Sequence, residues 1–330
     1  MEIAKALILA GHGDDDRPWP TASTGARHLF PIANRPILFH NLEALRAAGI
    51  LEAAILAAGD AGDAIGRAVG DGRDWDLTLR HVEWQPSAGL AGALTATRGF
   101  MADEPVLVEQ GDALLRERMR PHISAFAREG LDALALRLRS PVSPMAPTLT
   151  SGYLLSSRAV SILAGGPALG GNPVAGVRAR GGRVRVQRVD GCLPCHGEVE
   201  GLLESNRSML ESLVSTVDPA SLEDSSVQGA VDVHPTARVA RTLLRGPLII
   251  GPGARVTDAY IGPYSSIGAG VVIEGTEIEH SIVLPEAELR FVGTRLESSV
   301  IGRGARIVRG FDLPGAIRVS VGDGAEVILR

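Results

Sequence analysis

"GPLIIGPGARVTDAYIGPYSSIGAGVVIEG" (246–275) carries an aliphatic residue at a near-constant interval, at Ile250, Val256, Ile261, Ile267 and Ile273, and glycine directly follows three of them. A period near six fits neither the 3.6 of an α-helix nor the 2 of a flat strand. Its physical reading is a parallel β-helix, in which each short strand turns one aliphatic side chain inward and glycine permits the corners. The pattern resumes at Ile301-Gly302 and Ile307, then at Val321-Gly322 and Val327. It slips at 256–261 and around 285–300, which predicts loops or an imperfect prism at those two places.

Upstream the period is different. Short apolar runs alternate with helical patterns over the first 200 or so residues, as in a mainly parallel sheet flanked by helices. Strands are predicted at 5–10, 52–58, 77–84, 105–110, 133–139 and 183–189, and helices at 35–49, 89–101 and 120–130. In the first helix Leu38, Leu42 and Leu45 share one face. "STVDPASLEDSSVQGA" (215–230) is polar and turn-rich and reads as a linker. The expected division is an α/β domain over 1–222 and a β-helix domain over 223–330.

Bulk properties narrow the function. A chain of 330 residues with 45% hydrophobic content can bury two cores. The net charge of -5 and scattered arginines offer no basic stripe for nucleic acid. No apolar run approaches the roughly 20 residues that span a bilayer, and the start "MEIAKALILAG" lacks the basic head of a signal peptide, so a cytoplasmic protein without membrane partners is expected. The two cysteines, Cys192 and Cys195, are too few for a disulfide framework. Lys5 is the only lysine, so any chemistry needing a lysine elsewhere has no residue to perform it.

Several stretches together carry a resemblance: "KALILAG" (5–11), "FPIANRPILFHNLEALRAAGI" (30–50), "QPSAGLAGAL" (85–94), "GD" (111–112), "LLESNRSML" (202–210), "RGPLIIG" (245–251) and "YIGPYSSIG" (260–268). Over nearly its whole length the chain resembles the sugar-1-phosphate nucleotidyltransferases, above all the long form of glucose-1-phosphate thymidylyltransferase. That resemblance implies a Rossmann-like, GT-A-like nucleotidyltransferase domain followed by a left-handed β-helix, and a homo-oligomer. It also implies a reaction in which a sugar 1-phosphate attacks the α-phosphorus of a nucleoside triphosphate, with Mg²⁺ between the anions and pyrophosphate leaving.

The family's working parts map onto the chain with four departures. Its cradle, of the form G-G-x-G-[ST]-R-x-x-P, matches Gly11, His12, Gly13, Asp14, Asp15, Asp16 and Arg17, with one residue inserted and three aspartates where small residues meet phosphate. One such carboxylate beside a phosphate costs several kcal/mol at an effective dielectric of about 20. The lysine of the following P-K-x-L-x-P-[IV] becomes Arg27, whose planar fork does not reproduce an ammonium. The first metal aspartate is Asp112, while the second falls on Cys195, whose thiol suits Mg²⁺ poorly. The sugar-binding E-K-P hairpin is replaced by "VSPMAPTLT" (142–150). Substrate contacts implied by the match are Gly11, Gly13, Gln85, Gly89 and Gly111.

Other readings compete at the unusual residues. Asp14 to Asp16 read first as a solvated acidic turn, then as a cation site shared with Asp112, or as a surface for a cationic ligand or partner. "CLPCH" (192–196) has the C-x-x-C-H form of haem attachment and could make a soft-metal site from Cys192, Cys195 and His196, but plain thiols are the simpler reading. His12 and His28 lie near the presumed cleft and could act as acid or base; a structural role is the simpler one. The leading expectation is therefore a degenerate homologue whose standard transfer is lost, a non-catalytic or repurposed protein of a sugar or secondary-metabolite pathway. The alternatives are an active enzyme using Arg17, Arg27 and Asp112 with Mg²⁺ to make a nucleotide sugar or cyclitol from an unusual phosphate, and different chemistry through His28, Cys195 or a soft metal.

Overall fold

The computed structural model describes residues 3–11, 27–138, 150–165, 172–192 and 199–309. In chain order its first part runs β1 (Lys5–Leu9), β2 (Pro31–Ile32), β3 (Arg35–Pro36), α1 (Ile37–Ala48), β4 (Glu52–Ala57), α2 (Gly59–Val69), β5 (Thr78–Glu83), α3 (Gly89–Ala96) and α4 (Arg98–Met101). It continues through β6 (Val106–Gln110), β7 (Leu114–Leu115), α5 (Arg120–Glu129), β8 (Ala133–Leu138), β9 (Thr150–Leu155), α6 (Ser157–Ala164), α7 (Pro173–Ala179), β10 (Val184–Val189), β11 (Gly191–Cys192) and α8 (Val199–Leu210).

All six predicted strands lie in one seven-stranded sheet of order β10-β8-β9-β6-β1-β4-β5. The seventh, β9, runs antiparallel between β6 and β8. β1 is apolar at every position but Lys5 because both faces of the sheet are covered, as a parallel sheet requires. Ile8, Leu107 and Leu136 pack under α1, with Leu38, Leu42 and Leu45 all buried as the helical face predicts, while Leu7, Val108 and Leu155 pack under α3 and α6.

Helix ends differ from the predicted spans for local reasons. The first helix starts at Ile37, because Arg35–Pro36 pair instead with Pro31–Ile32 across a tight turn whose central residues, Ala33 and Asn34, have positive φ. The 89–101 span breaks at Thr97, whose hydroxyl donates to the Ala93 carbonyl at 2.7 Å. α2 escaped prediction since three of its eleven residues are glycine, which weakens any helical signal.

After α8 the chain winds into three parallel sheets of six, six and five short strands, consistent with the left-handed β-helix expected from the hexapeptide pattern. Aliphatic residues stack in register inside it: Val233, Ile250, Ile267, Val283 and Ile301 in the first wall, Val239, Val256, Ile273 and Leu289 in the second, and Leu244, Ile261 and Ile278 in the third. The slip at 256–261, where loops or an imperfect prism were expected, is a regular feature of the prism and no loop. Three successive coils each spend five residues between second and third walls, from Val239 to Leu244, Val256 to Ile261 and Ile273 to Ile278, so a coil takes seventeen residues, as in the pairing of Leu248 with Ser265. The second slip is real: residues 291–295 leave the wall, and the next strand returns in register with Ile278 paired to Leu296.

The stretch 215–230 is not a linker. Thr216–Val217, Leu222–Glu223 and Ser226–Gln228 are the first coil, pairing with Asp232–Val233, Val239–Ala240 and Leu243–Arg245. Most of its polar residues face outward, the buried Ser221 excepted, while Val217, Leu222 and Val227 pack on the prism core. The prism is tied to the sheet part by a shared apolar cluster in which Ile282 and Leu284 meet Phe30, Ile32, Leu202 and Leu203. At that seam Asn206 accepts from the Ala33 N–H and the Ser266 hydroxyl and donates to the Tyr264 carbonyl. Among the described residues no helix is long and apolar enough to cross a membrane.

Candidate functional site

The sheet order reverses between β1 and β6: the chain passes from β1 outward to β4 and β5, then returns to lay β6 on the other side. Ligands of open α/β sheets bind beyond the strand ends at such a switch point. The segments leaving those two strands are Gly11 and the pair Gly111-Asp112, joined through the Gly111 N–H donating to the Leu9 carbonyl at 2.9 Å.

Asp112 is 4% exposed. Arg27, in a short 3-10 turn over Arg27–Leu29, brings Nη2 to 3.1 Å from Asp112 Oδ2, with side-chain exposures of 15% and 5%. The two groups are close enough to neutralise each other, yet Oδ2 has no aligned hydrogen bond among the described residues. His28 is buried, and its ring lies 3.0 Å from the place a Cβ on Gly111 would take. From α1, Asn41 donates Nδ2 to the Gly111 carbonyl at 3.0 Å and so holds the turn.

Gly11 has a packing reason to be glycine. A Cβ there would come within 2.6 Å of Pro86 and 2.8 Å of the Trp84 ring. Gln85 and Gly89 are exposed at the turn that starts α3, where Gly89 takes φ +58°. Gly11, Gln85, Gly89, Gly111, Arg27, His28 and Asp112 are thus described. The Cys192 backbone pairs with Leu114 in a two-residue ladder. His12, Gly13, Asp14, Asp15, Asp16, Arg17, Cys195 and His196 lie outside the described residues.

The donor set was tested against the Mg²⁺ that the resemblance implies. Mg²⁺ is held by hard oxygens near 2.1 Å, through one or two carboxylates and substrate phosphates. Here one carboxylate is in place and already faces a guanidinium, and the second family position is a thiol by sequence. Among the described residues no group of three or more His, Cys, Asp or Glu is set to hold a metal ion. These residues do not fit a standing Mg²⁺ site.

Sequence reasoning passed over Glu109, the residue three before Asp112. It is 7% exposed and follows three apolar residues in β6, and burial pushes its carboxyl up to about 7. A charged residue inside "VLVEQ" was the available signal.

A family model described as "Nucleotidyl transferase" matches residues 5–146. A glucose-1-phosphate thymidylyltransferase of Streptomyces griseus is 32% identical over 97% of this chain and 98% of its own length. Its counterpart from Streptomyces antibioticus is 32% identical over 99% of each chain. A low-salt glycan biosynthesis nucleotidyltransferase of Haloferax volcanii is 26% identical over 98% of this chain and 100% of its own. A solved structure from Bacillus anthracis, described as a glucose-1-phosphate thymidylyltransferase, superposes with a TM-score of 0.54 over 65% of this chain and 97% of its own, at 19% identity, a likeness of fold.

Proposed function

The chain belongs to the sugar-1-phosphate nucleotidyltransferase family, and from that premise we propose that it keeps the family's fold while standard Mg²⁺-dependent nucleotidyl transfer is lost. Its role is then that of a non-catalytic or repurposed protein, able to hold a small phosphate or nucleotide-like ligand, in a sugar or secondary-metabolite pathway. The observation that carries this reading is the buried Arg27–Asp112 pair. A dication at Asp112 would stand within a few ångströms of a fixed guanidinium, and at an effective dielectric of about 20 the repulsion between them is several kcal/mol. Three aspartates in the cradle and a thiol at the second metal position support the same conclusion. Purified protein offered Mg²⁺, a panel of sugar 1-phosphates and each common nucleoside triphosphate should release no pyrophosphate above background; enzyme-like release would overturn the proposal.

A second reading is favoured by one observation. Asp112 Oδ2 lacks an aligned hydrogen bond, so a lone pair is still available to an incoming cation. The protein is then an active nucleotidyltransferase for an unusual phosphate, with Arg27 swinging from Asp112 to the substrate. Under that reading Asp112→Ala abolishes turnover, and retained turnover refutes it. The third expectation is different chemistry in the same cleft through His28, Cys195 or a soft metal; His28 is buried against Gly111, and Cys195 lies outside the described residues.

A further inference from the structure

A cavity of about 150 Å³ lies on the other side of β6 from α3, between α1, the β7–α5 turn, β9 and α8. Glu109 forms its polar floor; Leu115, Met119 and Met209 line its apolar side. What distinguishes the cavity is the imbalance of its hydrogen-bonding groups. Asn41 gives one of its two amide N–H groups to the Gly111 carbonyl, the Ser151 hydroxyl donates to the Leu136 carbonyl, and His40 donates Nε2–H to the Ile32 carbonyl. Burial lowers the His40 pKa, so its ring is neutral and Nδ1 is an acceptor. Ser151 and His40 then have only lone pairs left, while Asn41 keeps its Oδ1 acceptor and one N–H. Apart from that N–H, Gln110 adds the other side-chain donors without a partner among the described residues.

The carboxylates divide in the same way. Glu43 is ion-paired to Arg35. Glu117 accepts from the Asp190 N–H at 2.8 Å and pairs with His122 at 3.0 Å. Glu109, more than nine-tenths buried, has neither a hydrogen bond nor an ion pair among the described residues, and no lysine or arginine among them lines the cavity. An isolated buried carboxylate is costly unless a cation or donor meets it.

We propose that this cavity binds a small organic ammonium ion, its N–H groups received by Glu109, Ser151 and Asn41 and its hydrocarbon body lying against Leu115, Met119 and Met209. A cavity of this volume accommodates about six non-hydrogen atoms, so the ligand is a short primary amine or a compact fragment of similar size. The inference does not depend on whether the Asp112 cleft is catalytic. It does place a ligand next to that cleft, since Asn41 lines the cavity and also holds Gly111.

The test is calorimetric titration of the full-length protein with n-butylammonium, with butan-1-ol and butyrate as isosteres without the positive charge. One equivalent of n-butylammonium should bind saturably at pH 8, and neither isostere should. Binding should tighten as the pH rises through the range where Glu109 ionises, because the facing groups are a neutral His40 and the paired Glu43 and Glu117. Glu109→Gln should weaken binding at least about tenfold, the scale of one charge-assisted hydrogen bond, in a protein at least as stable as the parent. Ala44→Leu, a change at an exposed helical position on the rim, should abolish binding without touching Glu109. Absent saturable binding, equal binding of butan-1-ol, or undiminished affinity in Glu109→Gln would each overturn the proposal.

Discussion

Arg27 Nη2 stands 3.1 Å from Asp112 Oδ2 with both side chains largely withdrawn from water. Two residues that the resemblance assigns to separate tasks, one to phosphate and one to metal, here face each other as opposite charges. Asp112→Asn therefore removes the carboxylate that faces this guanidinium. Urea denaturation at pH 7 should show a loss of about 3 kcal/mol, the low end for breaking a buried pair because Arg27 keeps some solvent contact. The double variant Arg27→Met/Asp112→Leu should regain most of it. Unchanged stability of Asp112→Asn would mean that the pair contributes nothing to folding.

Glu109 sets a pH dependence of definite sign. Its carboxyl is raised by burial from 4.5 to about 7, so between those values the folded chain holds a proton that the unfolded chain has released. Stability on this account falls as the pH rises from 4.5 and is lowest above 7, by about 3 kcal/mol in all. Glu109→Gln removes the effect. Denaturation curves of parent and variant should coincide near pH 4 and separate progressively to pH 8, the variant being the more stable; a constant gap across that range would show that Glu109 does not titrate in the folded state.

Asn206 completes three hydrogen bonds across the seam between sheet and prism. Asn206→Ala strands the Ala33 N–H, the Tyr264 carbonyl and the Ser266 hydroxyl, at a cost of about 3 kcal/mol. Because the lost bonds join the two parts, calorimetry should resolve two thermal transitions where the parent shows one. A single transition at the parental temperature would contradict this.

Gly246 illustrates how closely the coils approach. A Cβ there would lie 2.0 Å from the Ala230 carbonyl oxygen, a backbone atom that cannot turn aside. Gly246→Ala should lower stability by about 2 kcal/mol or more, as severe overpacking does, whereas Gly253→Ala, where nothing lies within 4 Å and only a φ of +68° opposes the change, should cost about 1 kcal/mol. Equal effects of the two would remove the steric argument.

The fold was legible where one period dominated. Ile250, Val256, Ile261 and Ile267 announce stacked coils because only an inward aliphatic every five or six residues can fill a narrow prism. The polar stretch 215–230 hid its coil because that first turn has a neighbour on one side only and sets just Val217, Leu222 and Val227 against the core. β9 was missed since its sequence, TSGYLL, opens on Thr, Ser and Gly and has only a short apolar run to mark it as a strand. At the candidate site Asp112 and Arg27 could be singled out by motif, but their mutual distance could not. Glu109 was visible as a charge in a strand, and its meaning came only from the cavity it faces.

The clamp at Ala33 and Asn34 has a mechanical consequence. Asn34 Nδ2 donates to the Ile267 carbonyl at 2.7 Å, and Ala33 is held by Asn206; Arg27 precedes them by only a few residues, most of them buried. The prism is therefore a handle on the cleft: torque applied to it reaches the guanidinium facing Asp112 through a short, stiff piece of chain, with no compliant spacer to absorb it.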